Sequence, residues 1–123
     1  MVEEVYKIVT VDEWELAVRE GRFLGSGIDL KDGFIHLSTR QQVQETVDRY
    51  FDGQSGLLLV ALKSRLLGPS LRWEQAMSNG QTPSDREGLF PHLYGMVSMD
   101  VVAWVDPIQQ DDDGRNFVIW KDR

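Results

Sequence analysis

"LLLVALK", residues 57–63, is the stretch that decides the fold. It is a continuous apolar run bounded by Gly56 and Ser64. An unbroken apolar run of this kind suits a strand that is buried on both faces. The sequence therefore predicts a fully buried β-strand here, and other elements must cover it on both sides.

The chain before this strand begins with a strand and a capped helix. Residues 6–9 predict a short strand, and Thr10 followed by Glu13 has the spacing of a capping box. We expect a helix from this point to about Gly21. Its apolar positions recur at helical spacing: Val11, Trp14 and Val18.

A second strand and helix follow. The glycine-rich stretch 21–33 predicts a loop, and "FIHLS", residues 34–38, predicts the next strand. Thr39 with Gln42 repeats the cap spacing, so we expect a second helix that ends near Gly53. Strand, cap and helix thus occur twice before the central strand.

Strands dominate the rest of the chain. Residues 71–75 alternate and predict a half-buried strand, whereas 76–91 are polar and predict a long surface loop. Residues 96–105 and 116–120 predict two more strands, joined through a hairpin turn in "QQDDDG", residues 109–114. The predicted fold class is α+β.

Composition and charge narrow the function classes. The chain has 123 residues, 41% of them hydrophobic, which predicts one domain over 1–123. No apolar run approaches the ~20 residues of a membrane span, and the start lacks the pattern of a secretory signal, so we expect a soluble, cytoplasmic protein without a membrane partner. The net charge of −7 argues against non-specific nucleic-acid binding. Zero cysteines exclude thiolate nucleophiles and thiolate zinc ligands.

The first histidine lies in the second predicted strand. Period-two geometry places Phe34, His36 and Ser38 on one face, and Ile35 and Leu37 on the other. Because the aliphatic pair marks the core side, His36 should face a cleft. The alternative is a partly buried histidine that a backbone carbonyl satisfies.

The same geometry applies to "LRWEQ". Leu71, Trp73 and Gln75 share the predicted core face, which leaves Arg72 and Glu74 on the other. The guanidinium could bind an anion, and the carboxylate could act as an acid or base. The alternative is a surface ion pair of little energetic value.

The second histidine lies in "FPHLYG", residues 90–95. Proline fixes one backbone angle and biases Phe90 toward extended geometry, so the direction of His92 should be well defined. Tyr94 shares its side and offers a ring and a hydroxyl. The alternative is a rigid loop that seals the end of a sheet.

These residues can converge at one groove. The catalytic candidates are His36, Glu74 and His92, and the ligand-binding candidates are Ser38, Arg72 and Tyr94. No metal site is predicted, since no close histidine pair exists and the run 111–113 lacks the ligand pattern of a calcium loop. A serine–histidine–carboxylate triad is not predicted either, because no Gly-x-Ser-x-Gly elbow exists. Nucleotide or small-ligand binding is the favoured class.

Several of these motifs together resemble a bacterial family, domain of unknown function 952 (DUF952). The resemblance runs from about Tyr6 to Pro107 and leaves a C-terminal hairpin strand, 108–123, outside it. The motifs that carry it are "YKIVT" with Trp14, "DGFIHLST" with Gln42, "LRWE" and "FPHLYG".

The order of elements also resembles, more distantly, the RNA 2′-phosphotransferase branch of the ADP-ribosyltransferase superfamily. That resemblance implies a split β-sandwich with two N-terminal helices and a cleft for NAD or an ADP-ribose-like ligand. His36, in "IHLS", matches the second histidine of that branch and would contact the ADP-ribose part.

The chain departs from that branch in two places. Where the branch has Tyr-His-Gly-Thr on its first strand, this chain has Tyr6, Lys7, Ile8 and Val9, so the first histidine is absent. The arginines that grip the RNA phosphate have no evident match. Removal of a tRNA 2′-phosphate is therefore not expected.

Two functions follow from the sequence. The first is an ADP-ribosyltransferase-like domain that binds a nucleotide or NAD-related small ligand, with transferase or hydrolase activity at the two histidines and Glu74. The second is a non-catalytic ligand-sensing or protein-interaction module, in which "FPHLYG" and residues 76–91 form a docking surface. The sequence specifies no oligomeric state.

Overall fold

The computed structural model describes residues 2–78, 82–83 and 88–123. The fold is mixed α/β, and the described residues form three α-helices and five small sheets whose strand pairs are all antiparallel. The helices are α1 (Val11–Glu20), α2 (Gly27–Asp32) and α3 (Val43–Tyr50). The strands are β1 (Glu4–Thr10), β2 (Arg22–Phe23), β3 (Ile35–His36), β4 (Leu57–Lys63), β5 (Leu71–Gln75), β6 (Met77–Ser78), β7 (Thr82–Pro83), β8 (Leu89–Leu93), β9 (Val97–Ser98), β10 (Val102–Pro107), β11 (Gln109–Gln110) and β12 (Asn116–Phe117).

The apolar run 57–63 forms the central strand of the first sheet, as predicted. Strand β4 lies between β1 and β10, and its register with β1 runs from Thr10 opposite Leu57 to Glu4 opposite Lys63. Five of its seven residues are buried. The sequence shows no alternation here because both faces of the strand are covered.

The two faces of this sheet support two separate cores. On one face Val60 and Leu62 pack with Ala17 of α1 and with the second sheet. On the other face Leu59 packs with Val47 of α3. Helices and strands thus cover the first sheet from both sides.

None of the described helices is long and apolar enough to cross a membrane.

The second sheet has the order β3–β8–β5, so β8 is its central strand. The prediction of a surface loop over 76–91 is wrong in part, since β6 pairs with β7 inside this range and 89–91 already belong to β8. Part of that range, 79–81 and 84–87, lies outside the described residues. Polar composition and Pro91 concealed the strand, because proline is rare in central strands. The Pro91 carbonyl still accepts a bond from the Leu37 amide.

The capping box at the first helix is confirmed. The Glu13 amide donates to the Thr10 hydroxyl at 3.1 Å, and the Thr10 amide donates to the Glu13 carboxylate at 2.8 Å. Gly21 ends the helix in the left-handed conformation. The second predicted helix is shorter than expected: α3 begins at Val43, because residues 40–42 form a turn.

The loop predicted over 21–33 is wrong in most of its length. It contains β2 and the one-and-a-half-turn helix α2. The Ser26 amide donates to the Asp29 carboxylate at 2.8 Å, and Gly33 closes the helix in the left-handed conformation. The glycines that suggest a loop stand before this helix and at its end, where glycine is common.

Three other predictions need correction. Residues 96–105 form β9, a short 3₁₀ helix and the start of β10 rather than one strand, and the strand expected over 116–120 is limited to β12. Trp73 does not face the core: it is 39% exposed, because β5 lies at the edge of its sheet. Ile35 and Leu37 are buried, as predicted.

Candidate functional site

The second sheet brings the two histidines side by side. His36 on β3 lies directly opposite His92 on β8, and Arg72 on β5 lies opposite His92 on its other side. The two imidazole ring centroids are 5.7 Å apart. Directly opposite residues share a face of the sheet, so three candidate residues from distant parts of the chain line one surface.

His92 is oriented by the carboxylate of Glu74. Its Nδ1 donates to Glu74 Oε1 at 2.9 Å, and the Tyr94 hydroxyl donates to the same oxygen at 2.7 Å. A carboxylate only accepts hydrogen bonds, so Nδ1 carries the proton and a neutral His92 presents Nε2 as an acceptor. Among the described residues, the Glu74 carboxylate pairs with His92 and Tyr94.

The titration of this group is set by its surroundings. The His92 side chain is 6% exposed, and this burial lowers the pKa of His92 below its ordinary value more than the Glu74 hydrogen bond raises it. The hydrogen bonds from Tyr94 and His92 lower the pKa of the Glu74 carboxyl. His92 is therefore held neutral, beside an ionised Glu74.

His36 lies between two carboxylates of the preceding helix. Its Nδ1 is 2.6 Å from Asp29 Oδ1, and its Nε2 is 2.9 Å from Asp32 Oδ2. A carboxylate at each nitrogen is satisfied when both nitrogens carry a proton, as in the imidazolium. The side chain is 35% exposed, and both ring nitrogens contact carboxylates rather than a backbone carbonyl.

Asp29 connects this histidine to the first sheet. The buried ammonium of Lys7 on β1 lies 2.9 Å from Asp29 Oδ2, and the His36 amide donates to Oδ1 at 3.0 Å. Burial alone would raise the pKa of Asp29, but the His36 hydrogen bond and the Lys7 charge outweigh it and lower the pKa to about 2. The carboxylate stays ionised although it is 2% exposed.

Phe34 covers the two histidines. Its ring centroid is 4.5 Å from that of His36 and 4.2 Å from that of His92, onto which it stacks. It also lies 5.2 Å from the Tyr94 ring. The guanidinium of Arg72 lies 4.5 Å over the centroid of Tyr94. We call this surface the histidine face; its side chains are Phe34, His36, Arg72, Glu74, His92 and Tyr94.

Ser38 is the one candidate whose polar contact lies elsewhere. It pairs with Tyr6 of β1 in an isolated bridge, and its hydroxyl lies 3.1 Å from the Thr46 hydroxyl on α3. The side chain is buried. The hydroxyl therefore contacts α3 and not the rings of the histidine face.

A family model described as "Protein of unknown function (DUF952)" matches residues 8–105, which is most of the chain. The chain belongs to the DUF952 family. The resemblance expected over about 6–107 is thus confirmed for this family. DUF952 is a classification by sequence, and it assigns no activity to the histidine face.

Two solved structures of one protein are similar to this DUF952 domain. The X-ray crystal structure of protein CC0527 from Caulobacter crescentus is 39% identical, with a TM-score of 0.82 and 93% of each chain covered. Its solution NMR structure is 41% identical, with a TM-score of 0.75 and coverage of 91% of this chain and 90% of that one. No curated protein matches the chain significantly.

Four residues at or behind the histidine face of this DUF952 domain were not predicted as site residues: Lys7, Asp29, Asp32 and Phe34. A lysine inside the otherwise apolar run of β1 is a signal, since a buried ammonium needs a partner. The Ser26-x-x-Asp29 spacing is another, because it marks a capped helix. The stacking of Phe34 has no signal beyond its place on the His36 face.

The histidine face has no metal-type arrangement and belongs to neither of two cavities in the DUF952 domain. Within the described part of the chain, no three His, Asp or Glu side chains are grouped as a metal site would need. One cavity, of about 310 Å³, is lined by Val2, Glu3, Glu4, Tyr6, Thr39, Arg40 and Gln41. The other, of about 370 Å³, is lined by Trp14, Glu15, Val18 and Arg19.

Proposed function

We propose that the histidine face is an ADP-ribosyltransferase-like site that binds a nucleotide or NAD-related small ligand and supports transferase or hydrolase chemistry. The observation that carries the proposal is the pairing of His36 with His92 at 5.7 Å, with His36 held by two carboxylates and His92 by one. Convergent polar groups with perturbed titration are typical of functional sites.

The other groups of the face suit such a ligand. Phe34 and Tyr94 offer aromatic rings for stacking against a base, and Arg72 places a guanidinium beside them for a phosphate. His36, which matches the phosphotransferase branch's second histidine, is 35% exposed and accessible to a ligand. Lys7 stands where that branch has its first histidine and lies behind His36, bound to Asp29.

The test is an NMR titration of the two imidazoles with NAD, ADP-ribose and AMP added separately. We expect saturable shifts of both His36 and His92 with at least one ligand, because a ligand on this face would lie against both rings. If neither ring responds to any of the three, nucleotide binding at the face is wrong.

A pair of variants with the same charge change serves as the control. Arg72→Gln should weaken binding at least about tenfold, since a charge-assisted bond to phosphate is lost. Arg19→Gln, on α1 and away from the face, should leave binding within about twofold of the unaltered protein. Equal effects of both variants would mean that ligand attraction is a property of overall charge.

A non-catalytic interaction module is the second candidate. Exposed apolar side chains on neighbouring strands favour it: Trp73 is 39% and Leu89 is 55% exposed. A docking surface of this kind would leave the His36 and His92 resonances unchanged by nucleotides. The same titration therefore distinguishes the two functions.

A further inference from the structure

The contacts of the two histidines suit opposite roles in proton transfer: His92 as the acceptor and His36 as the donor. Neutral His92 donates through Nδ1 to Glu74, so its Nε2 holds a lone pair, and none of the described residues hydrogen-bonds that nitrogen. His36 has a carboxylate at each ring nitrogen, Asp29 at Nδ1 and Asp32 at Nε2, and both carboxylates accept hydrogen bonds. His36 therefore suits the role of proton donor. A base and an acid on one surface are the elements of general acid–base catalysis.

The groups around His92 favour its neutral form. Glu74 and Arg72 face it from β5, His36 from β3, Asp32 from α2 and Tyr94 from its own chain segment. Burial lowers the pKa of His92, and the charge of His36 lowers it further, whereas the carboxylates raise it. The lowering prevails, so Nε2 is free of a proton near neutral pH.

The two nitrogens of His36 differ in access. Asp29, at Nδ1, is 1% exposed in its side chain and is fixed by Lys7. Asp32, at Nε2, is 18% exposed and lies at the surface. The Nε2 proton is therefore the one that His36 can deliver to a ligand, while Asp29 holds the ring in place.

We propose, building on the nucleotide site above, that the protein hydrolyses nucleoside 2′,3′-cyclic phosphates, with His92 as general base and His36 as general acid. Water gives a proton to His92 Nε2 while its oxygen bonds to phosphorus. One ring P–O bond breaks, and the leaving ribose oxygen takes the Nε2 proton of His36. The product is a nucleoside monophosphate, and solvent returns a proton from His92 to His36.

The charges of the site suit this substrate class. Lys7 and Arg72 carry positive charge at the site, and Asp29, Asp32 and Glu74 carry carboxylates, so repulsion by the carboxylates disfavours a doubly charged phosphate more than a singly charged phosphodiester. The net charge of −7 opposes a polynucleotide and favours a mononucleotide. The proposed nucleophile is water, and His92 Nε2 is the base that takes its proton. The five-membered cyclic phosphate ring is strained, so its hydrolysis mainly requires proton transfer from the attacking water and to the leaving ribose oxygen.

The experiment follows conversion of 2′,3′-cyclic AMP to 2′-AMP or 3′-AMP by ³¹P NMR across the pH range. We expect a bell-shaped rate profile, with His92→Gln and His36→Gln each at least about 100-fold slower. Glu74 acts through His92 as a positioning residue. Since the Glu74 hydrogen bond and charge raise the pKa of His92, Glu74→Gln should move the acid limb of the profile to lower pH.

Controls separate this inference from the binding proposal. Glu15→Gln, the same change on α1, should leave rate and profile unchanged. Ring shifts with AMP but no hydrolysis would overturn the inference and leave nucleotide binding standing, whereas neither shifts nor hydrolysis would overturn both. A folded His92→Gln variant with the original rate would also overturn it. If that variant fails to fold, an unmoved acid limb in Glu74→Gln would overturn the role of His92 instead.

Discussion

At the scale of single residues, the Asp29 carboxylate joins several segments of the chain through hydrogen bonds and an ion pair. Its buried carboxylate accepts from the Ser26 amide, from the His36 amide and ring, and from Lys7. Three separate pieces of chain, β1, the turn before α2 and β3, therefore meet at one charge. A buried charge of this kind is costly unless every partner is in place, so it fixes their relative positions.

Asp29→Asn should lower the free energy of unfolding by about 3 kcal/mol, because the Lys7 ammonium would be left buried without its countercharge. Urea unfolding followed by circular dichroism measures this. Asp32→Asn is the matched control, since Asp32 also contacts His36 but is partly exposed, and it should cost less than about 1 kcal/mol. A stability of Asp29→Asn equal to that of the control would contradict the role assigned to Lys7.

Acid should destabilise the protein in two stages. His92 has a lowered pKa in the folded state, so the unfolded chain binds more protons as pH falls below about 6.5, and stability begins to fall there. Asp29, lowered from 3.8 to about 2, adds a second loss below about pH 4. The share of Asp29 in that second stage amounts to about 2 kcal/mol, and Glu74, whose pKa is also lowered, adds to the loss. Urea midpoints measured against pH check both stages, and Asp29→Asn should lack the share of Asp29.

At the scale of elements, the short helix α2 positions His36. It carries both carboxylates that hold His36, one from each half of the helix. The approach to it is tight: a Cβ atom on Gly25, where φ is 118°, would lie 2.8 Å from the Asp29 Cβ. The path of the chain into α2 thus determines where the Asp29 side chain stands.

Gly25→Ala should destabilise the protein by more than about 2 kcal/mol, since it combines an unfavourable φ with a clash. It should also shift the His36 resonances through Asp29. Gly27→Ala tests the same substitution two residues later, where no atom lies within 4 Å and φ is not positive. We expect that change to be neutral within about 0.5 kcal/mol. Equal urea midpoints for both variants would show that the approach of Gly25 to Asp29 is unimportant.

At the scale of the whole molecule, the first sheet carries one core on each face, and β4 contributes to both. Leu62 belongs to the core shared with α1 and the second sheet, and Leu59 belongs to the core under α3. Both side chains are fully buried. Because one strand supplies both cores, their formation should be coupled.

Leu59→Ala and Leu62→Ala should each cost about 2–5 kcal/mol, from lost burial and a cavity. Fluorescence and circular dichroism should report the same single urea transition for each variant. The reason is that damage to either core destabilises β4, and β4 also supports the other core. Leu30→Ala, at a side chain that is 66% exposed, should cost less than about 0.5 kcal/mol. Separate transitions for the two probes would show that the cores unfold independently.

Local signals explain what could be predicted from the chain. The capping box at Thr10 needs only residues three apart, and the burial of Ile35 beside the partly exposed His36 follows from period-two alternation. The continuous apolar run of β4 predicts that this strand is buried on both faces. Each of these depends on neighbours in sequence, and the family resemblance rests on the same motifs.

The site itself needed the tertiary structure. Alternation predicted that His36 leaves the core side, and Pro91 predicted a defined direction for His92, but only the pairing of β3 with β8 brings residues 56 positions apart to 5.7 Å. The Lys7–Asp29 contact and the central place of Pro91 likewise depend on which strands pair. The sequence by itself determined that Ile35 and Leu37 face the core and that β4 is buried, because the side-chain direction repeats every two residues along a strand. Packing alone decided which faces meet, since long-range pairing reflects the burial of the whole chain and not the preference of any one segment.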